Sequence, residues 1–73
     1  MDLVKLGKII QTVRERTFPD LNRTKAARRA DIHHDTLKGI ELGTIDARLS
    51  TLIKIAEGWN VPIWKLLKGD KAK

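Results

Sequence analysis

Leu3, Leu6, Ile10 and Val13 recur every three or four residues, with Lys5, Lys8, Gln11 and Arg14 between them. That spacing gathers the apolar side chains on one stripe and predicts a first helix over about Asp2 to Arg16. Phe18-Pro19-Asp20 ends it, because proline disfavours helix in the residue before it. Asn22 is a good N-cap for a second helix, about Arg23 to Arg29. The apolar positions there, Ala26, Ala27 and the following Ala30, are all small, so another helix can approach closely. Asp31 follows as a turn residue and is predicted to have a positive φ, which aspartate tolerates better than most residues. A third helix is predicted from about His34 to Glu41, with Leu37 and Ile40 inward and Gly43 at the terminating position. Thr44-Ile45-Asp46-Ala47 reads as a loop. A fourth helix offers a broad apolar face of Leu49, Leu52, Ile53, Ile55, Ala56 and Trp59, and Asn60-Val61-Pro62 breaks it. Pro62 suits the first position of a fifth helix, whose stripe is Ile63, Leu66 and Leu67. No stretch alternates with period two, so the expected fold is all-α, five helices without a sheet.

A chain of 73 residues has room for one domain. We expect that domain over residues 1–69 and a short charged tail over 70–73. So small a domain has a thin stability margin. With no cysteine, neither a disulfide nor a thiolate metal site reinforces it. Helix packing, or a partner subunit, must supply the stability. Fifteen Lys and Arg against nine Asp and Glu give a net charge of +6. The charge suggests a polyanionic partner, either nucleic acid or an anionic membrane surface; solubilising charge is the plainer alternative. A membrane surface fits less well, because the basic residues do not share a face with a free apolar stripe. No apolar run is long enough to span a bilayer, and Asp2, Lys5 and Lys8 interrupt any signal-peptide layout. A soluble, cytoplasmic protein is the expectation.

The informative block is Arg23 to Gly43, two short helices joined by a turn centred on Asp31. A helix-turn-helix needs a small residue where the second helix crosses the first, here Ala27. It needs a turn residue four positions later, here Asp31. Leu37 and Ile40 then anchor the second helix and leave its outer face open to base edges.

In these features the chain resembles the Cro and lambda-repressor-like helix-turn-helix family. The resemblance covers nearly the whole chain. It runs from Leu6-Gly7, Ile10 and Arg14 through Leu21-Asn22, Ala27, Ile32, Thr36-Leu37, Ile40-Glu41 and Gly43. It continues in Thr51-Leu52, Lys54-Ile55-Ala56, Val61 and Leu66-Leu67. It implies a five-helix, cytoplasmic domain that binds double-stranded DNA with its third helix in the major groove. It also implies a homodimer on a pseudo-palindromic site; apart from the resemblance, a small interface would let that dimer form only on DNA. The chain departs from the family at Arg23, where glutamine is favoured, at Ala26 (leucine), at Asp31 (glycine) and at Arg48 (a serine or threonine cap). Its loop between the first two helices is about two residues longer. The position of Gly39 often carries a base-contacting side chain, and here it carries none.

Helical spacing puts His34, Asp35 and Lys38 on the outer face of the third helix. By resemblance, His34 and Asp35 match base-contacting positions. Histidine can bond a purine edge and aspartate can accept from the cytosine amino group. The alternative is a solvated face. Asp35 would repel phosphates unless a base donor or Arg23 compensates. Asn22, Arg23, His33, Thr44 and Arg48 are the expected contacts to the DNA backbone. Arg23 stands at the start of the second helix, where the family contacts a phosphate and a guanidinium adds a bidentate grip. Lys25, Arg28 and Arg29 read as general positive field. Arg14 and Glu41 match a structural ion pair that ties the first helix to the third in the family. Trp59 reads as core. Trp64 lies off the stripe of the fifth helix, and its exposure would suit a dimer interface.

Neither catalysis nor a cofactor is expected, since no nucleophile, base and orienting acid form a constellation and no glycine-rich phosphate loop occurs. No metal is expected either, because neighbouring helical residues such as His33 and His34 point about 100 degrees apart and chelate poorly. The leading expectation is a sequence-specific DNA-binding transcriptional regulator, a repressor, and not an enzyme. The alternative is a protein-binding module of the same fold, an antitoxin or accessory factor, that uses Trp64 and the last helix.

Overall fold

Asp2 caps the first helix without being part of it: its carboxylate accepts from the Val4 and Lys5 backbone N–H groups at 3.0 and 3.3 Å. The computed structural model describes residues 2–68, so the domain end at residue 69 and the charged tail over 70–73 lie outside the described residues. Among the described residues there are five helices and no strand: α1 (Leu3–Thr17), α2 (Arg23–Arg29), α3 (His34–Leu42), α4 (Leu49–Trp59) and α5 (Ile63–Lys68). Pro62 stands just before α5 and is not its first residue. Asp31 has the anticipated left-handed backbone (φ 58°), and Gly43 closes α3 at φ 80°. Asn60 closes α4 in the same region (φ 57°), so the break after this helix is a left-handed cap and not only an effect of Pro62.

α1 packs on α3 and α5, α2 on α3 and α4, and α4 on α5. The core is aliphatic around one indole: Ile10, Leu37, Ile40, Ile55, Leu66 and Trp59 are fully buried. The small face of α2 admits α4 closely enough for the Trp59 indole N–H to donate to the Ala26 carbonyl at 2.9 Å. A buried indole needs such a partner. Phe18, in the longer loop after α1, sets its ring edge-on to Trp59 with centroids 6.1 Å apart, and the Arg29 guanidinium lies over Phe18.

The apolar faces of α4 and α5 are narrower than their sequences suggest. Leu49 is 64% exposed and Ile53 41% exposed. Leu52, Ile55, Ala56 and Trp59 already fill a stripe less than a third of the way round α4, and Ile53 lies about 100 degrees from Leu52. On α5 only Leu66 is fully covered, while Leu67 is exposed.

Candidate nucleic-acid interface

α3 is gripped from behind by α1. The backbones cross at Gly7, where a Cβ would lie inside van der Waals contact of the Ile40 and Glu41 carbonyl oxygens. Further along, Arg14 and Glu41 join in a buried, bidentate ion pair, with Nε to Oε2 at 2.6 Å and Nη2 to Oε1 at 3.1 Å. The same Glu41 carboxylate also accepts from Arg23 Nε at 2.8 Å. Among the described residues every buried side-chain nitrogen and oxygen has a hydrogen-bond partner, so the desolvation of this trio is offset by direct bonds.

The third member of the trio is not legible in the sequence, which suggests a phosphate ligand at Arg23 and a Glu41 paired to Arg14 alone. The structure ties Arg23 Nε to Glu41 and leaves the Arg23 side chain 31% exposed, while that of Glu41 is wholly covered. A guanidinium has five N–H donors, and one to Glu41 fixes its direction without using up the fork. No local signal marks this contact, because it joins residues 18 apart.

His33 is the N-cap of α3: its Nδ1 accepts from the Asp35 backbone N–H at 3.2 Å. His34, Asp35 and Lys38 are all exposed on the outer side of α3. The nearest basic atom to the Asp35 carboxylate is His34 Nε2 at 3.2 Å, with His33 Nδ1 3.8 Å away, while Arg23 turns to Glu41. The two imidazoles stack, 4.5 Å between centroids. The histidines therefore do not diverge as two helical neighbours would. His33 precedes the helix, so its ring is not turned 100 degrees from that of His34, and the donor atoms of His33, His34 and Asp35 lie within 4.8 Å of one another. The trio is nevertheless exposed, His33 Nδ1 already serves the cap, and the positive end of the helix dipole opposes a cation there.

The remaining expected backbone contacts frame α3. Asn22 caps α2, its side-chain oxygen accepting from Lys25 N–H at 2.8 Å. The Thr44 hydroxyl donates to the Gly39 carbonyl at 3.3 Å. Arg48 occupies the N-cap position of α4 but makes no side-chain cap bond, and its side chain is exposed. Lys25 and Arg28 are exposed on α2. Trp64, 47% exposed on α5, stands far from this surface in sequence, and Leu67 of the same helix is also exposed. Ile63 shares a groove with Ile53 of α4, and Leu67 shares a hollow with Leu6 and Ile9 of α1.

No family model matches the chain, and no curated protein matches it by sequence. Among solved structures it is similar to the crystal structure of the restriction-modification controller protein C.AhdI from Aeromonas hydrophila. The TM-score is 0.78 at 25% identity, over 89% of this chain and 91% of that one. A likeness of that extent takes in the central α2–turn–α3 unit. The chain shares the fold of that controller protein.

Proposed function

We propose that this chain binds double-stranded DNA in a sequence-specific way as a small transcriptional regulator, with α3 in the major groove. The observation that carries the reading is the outer side of α3. It is a rigid face with exposed His34, Asp35 and Lys38, held from behind by Gly7 and Arg14 and flanked by the basic residues of α2. The likeness to a controller protein supports the same reading. His34 and Lys38 offer donors to purine edges and Asp35 an acceptor for a cytosine amino group. Arg23, aimed by Glu41, together with Arg48, Thr44, Asn22 and His33, makes the sequence-independent contacts to phosphates. Occupancy of a site that overlaps a promoter is enough to block transcription, so repression is the simplest regulatory outcome. The role is one of binding, not catalysis, and a DNA partner supports a cytoplasmic location.

One recognition helix reads only a few base pairs, so the functional unit is a homodimer on two half-sites one DNA turn apart. The exposed Trp64 on α5 supports a dimer formed there. An interface centred on one indole would bury less than a standard stable complex, so the subunits would join only on DNA. The same surface would serve a protein partner if the chain were an accessory factor.

Selection from random duplex DNA tests the reading, with an enriched palindrome as the expected product. On that site, affinity should fall steeply with salt as counterions are released. Arg23→Ala should weaken specific and non-specific binding alike and reduce the salt slope by about 1, whereas His34→Ala should cost roughly 1–3 kcal/mol of discrimination. If both variants bind the selected site like the parent, α3 is not the reading element.

A further inference from the structure

Gly39 lies one turn beyond Asp35 on the same side of α3, where a side chain would project toward bound DNA. That space is occupied. Ile45, from the loop after the helix, folds back over the glycine, so that a Cβ built at Gly39 would stand 2.5 Å from Ile45 Cγ1 and nearer still to Cδ1. Gly39 is buried as a result, while Ile45 itself stays 40% exposed. The arrangement is pinned. The Gly39 carbonyl accepts from Thr44 N–H at 2.9 Å, from Ile45 N–H at 3.2 Å and from the Thr44 hydroxyl at 3.3 Å. The loop therefore supplies, from outside the helix, the side chain that residue 39 lacks.

We propose that Ile45 is a specificity-determining residue and that its ligand is the 5-methyl group of a thymine in the major groove. This rests on the DNA-binding reading above. The polar residues of the outer face offer donors and an acceptor, and Ile45 adds an apolar surface beside Asp35. The thymine methyl is the one apolar feature that a base pair presents in the major groove. Ile45 is too short to reach around a base edge and has no polar atom to bond one, so contact with that methyl is the reading chemistry left to it. The three bonds to the Gly39 carbonyl hold the side chain in register with α3, as recognition of a single methyl group requires.

The test removes the methyl and nothing else. The probe is the duplex recovered by random selection, with each thymine replaced in turn by deoxyuridine. The wild-type protein should lose about fourfold in affinity at one thymine position per half-site, the weight of one buried methyl-sized group, and bind the other substituted duplexes unchanged. Ile45→Ala should bind the thymine and uracil duplexes equally, with an unaltered thermal transition, while keeping its dependence on His34. If every uracil duplex binds like the parent, or if Ile45→Ala retains the methyl preference, the assignment of Ile45 is overturned while DNA binding stands. If no duplex is bound at all, the DNA-binding reading fails and takes this assignment with it.

Discussion

Glu41→Gln removes the negative charge that faces Arg14. The replacement is nearly isosteric, so packing changes little and the electrostatic consequence dominates. Arg14 is itself buried, with its side chain 9% exposed, and would keep its charge without a counter-ion. Removing one partner of a buried ion pair costs about 3–5 kcal/mol, because the orphaned guanidinium can neither lose its proton nor reach water. For a domain of this size each kcal/mol lowers the melting temperature by about 4–8 °C, so a drop of at least roughly 12 °C is expected. The trio makes the prediction sharper. Arg14→Met leaves Glu41 still bonded to Arg23 and should cost less than Glu41→Gln. Arg23→Ala breaks a partly exposed contact and should cost no more than about 1 kcal/mol. The double variant Arg14→Met, Glu41→Leu removes both buried charges and should recover most of the loss. Urea unfolding of the four variants measures the order directly. A Glu41→Gln penalty below about 1 kcal/mol, or one equal to that of Arg23→Ala, would refute the view that this carboxylate holds α1 and α3 together.

Gly7→Ala should destabilise by about 1–3 kcal/mol, since its methyl meets the backbone of α3 and not a yielding side chain; a melting curve like the parent's would show that the helices can part without cost. Trp59→Phe deletes the indole donor to the Ala26 carbonyl and should cost at least about 1 kcal/mol by chemical denaturation, and an unchanged midpoint would mean that bond contributes nothing. Trp64→Ala should leave the thermal transition in place and binding to a single half-site nearly unchanged, yet abolish cooperative binding to the full palindrome in a gel-shift titration. Unfolding of that variant would make Trp64 a core residue, and surviving cooperativity would put the dimer contact elsewhere.

The five helices, the Asp31 turn and the C-terminal Gly43 are set by rules that act within one or two turns of chain: a repeat near 3.6, a small capping set and the few residues that tolerate positive φ. Those rules are written in neighbouring residues, so a single sequence displays them. By spacing alone they also sort His34, Asp35 and Lys38 to one side of α3. What they leave open are contacts between residues far apart in the chain. Arg23 reads as a phosphate ligand in the sequence because its neighbours are solvent and an N-cap; only the packing of α2 on α3 brings Glu41 to 2.8 Å and turns the pair into a trio. Leu49 and Ile53 read as core because they are aliphatic, but how much of a helix is covered depends on how many neighbours reach it. The stacking of His33 on His34 and the folding of Ile45 over Gly39 are hidden for a related reason. Each depends on where a residue just outside α3 sends its side chain, and helical periodicity stops at the cap. Sequence thus determines where each helix lies and which side is polar. Tertiary packing decides which charges meet, how wide each buried stripe becomes and which side chain fills the space that a glycine leaves, because those outcomes depend on distances through space and not along the chain.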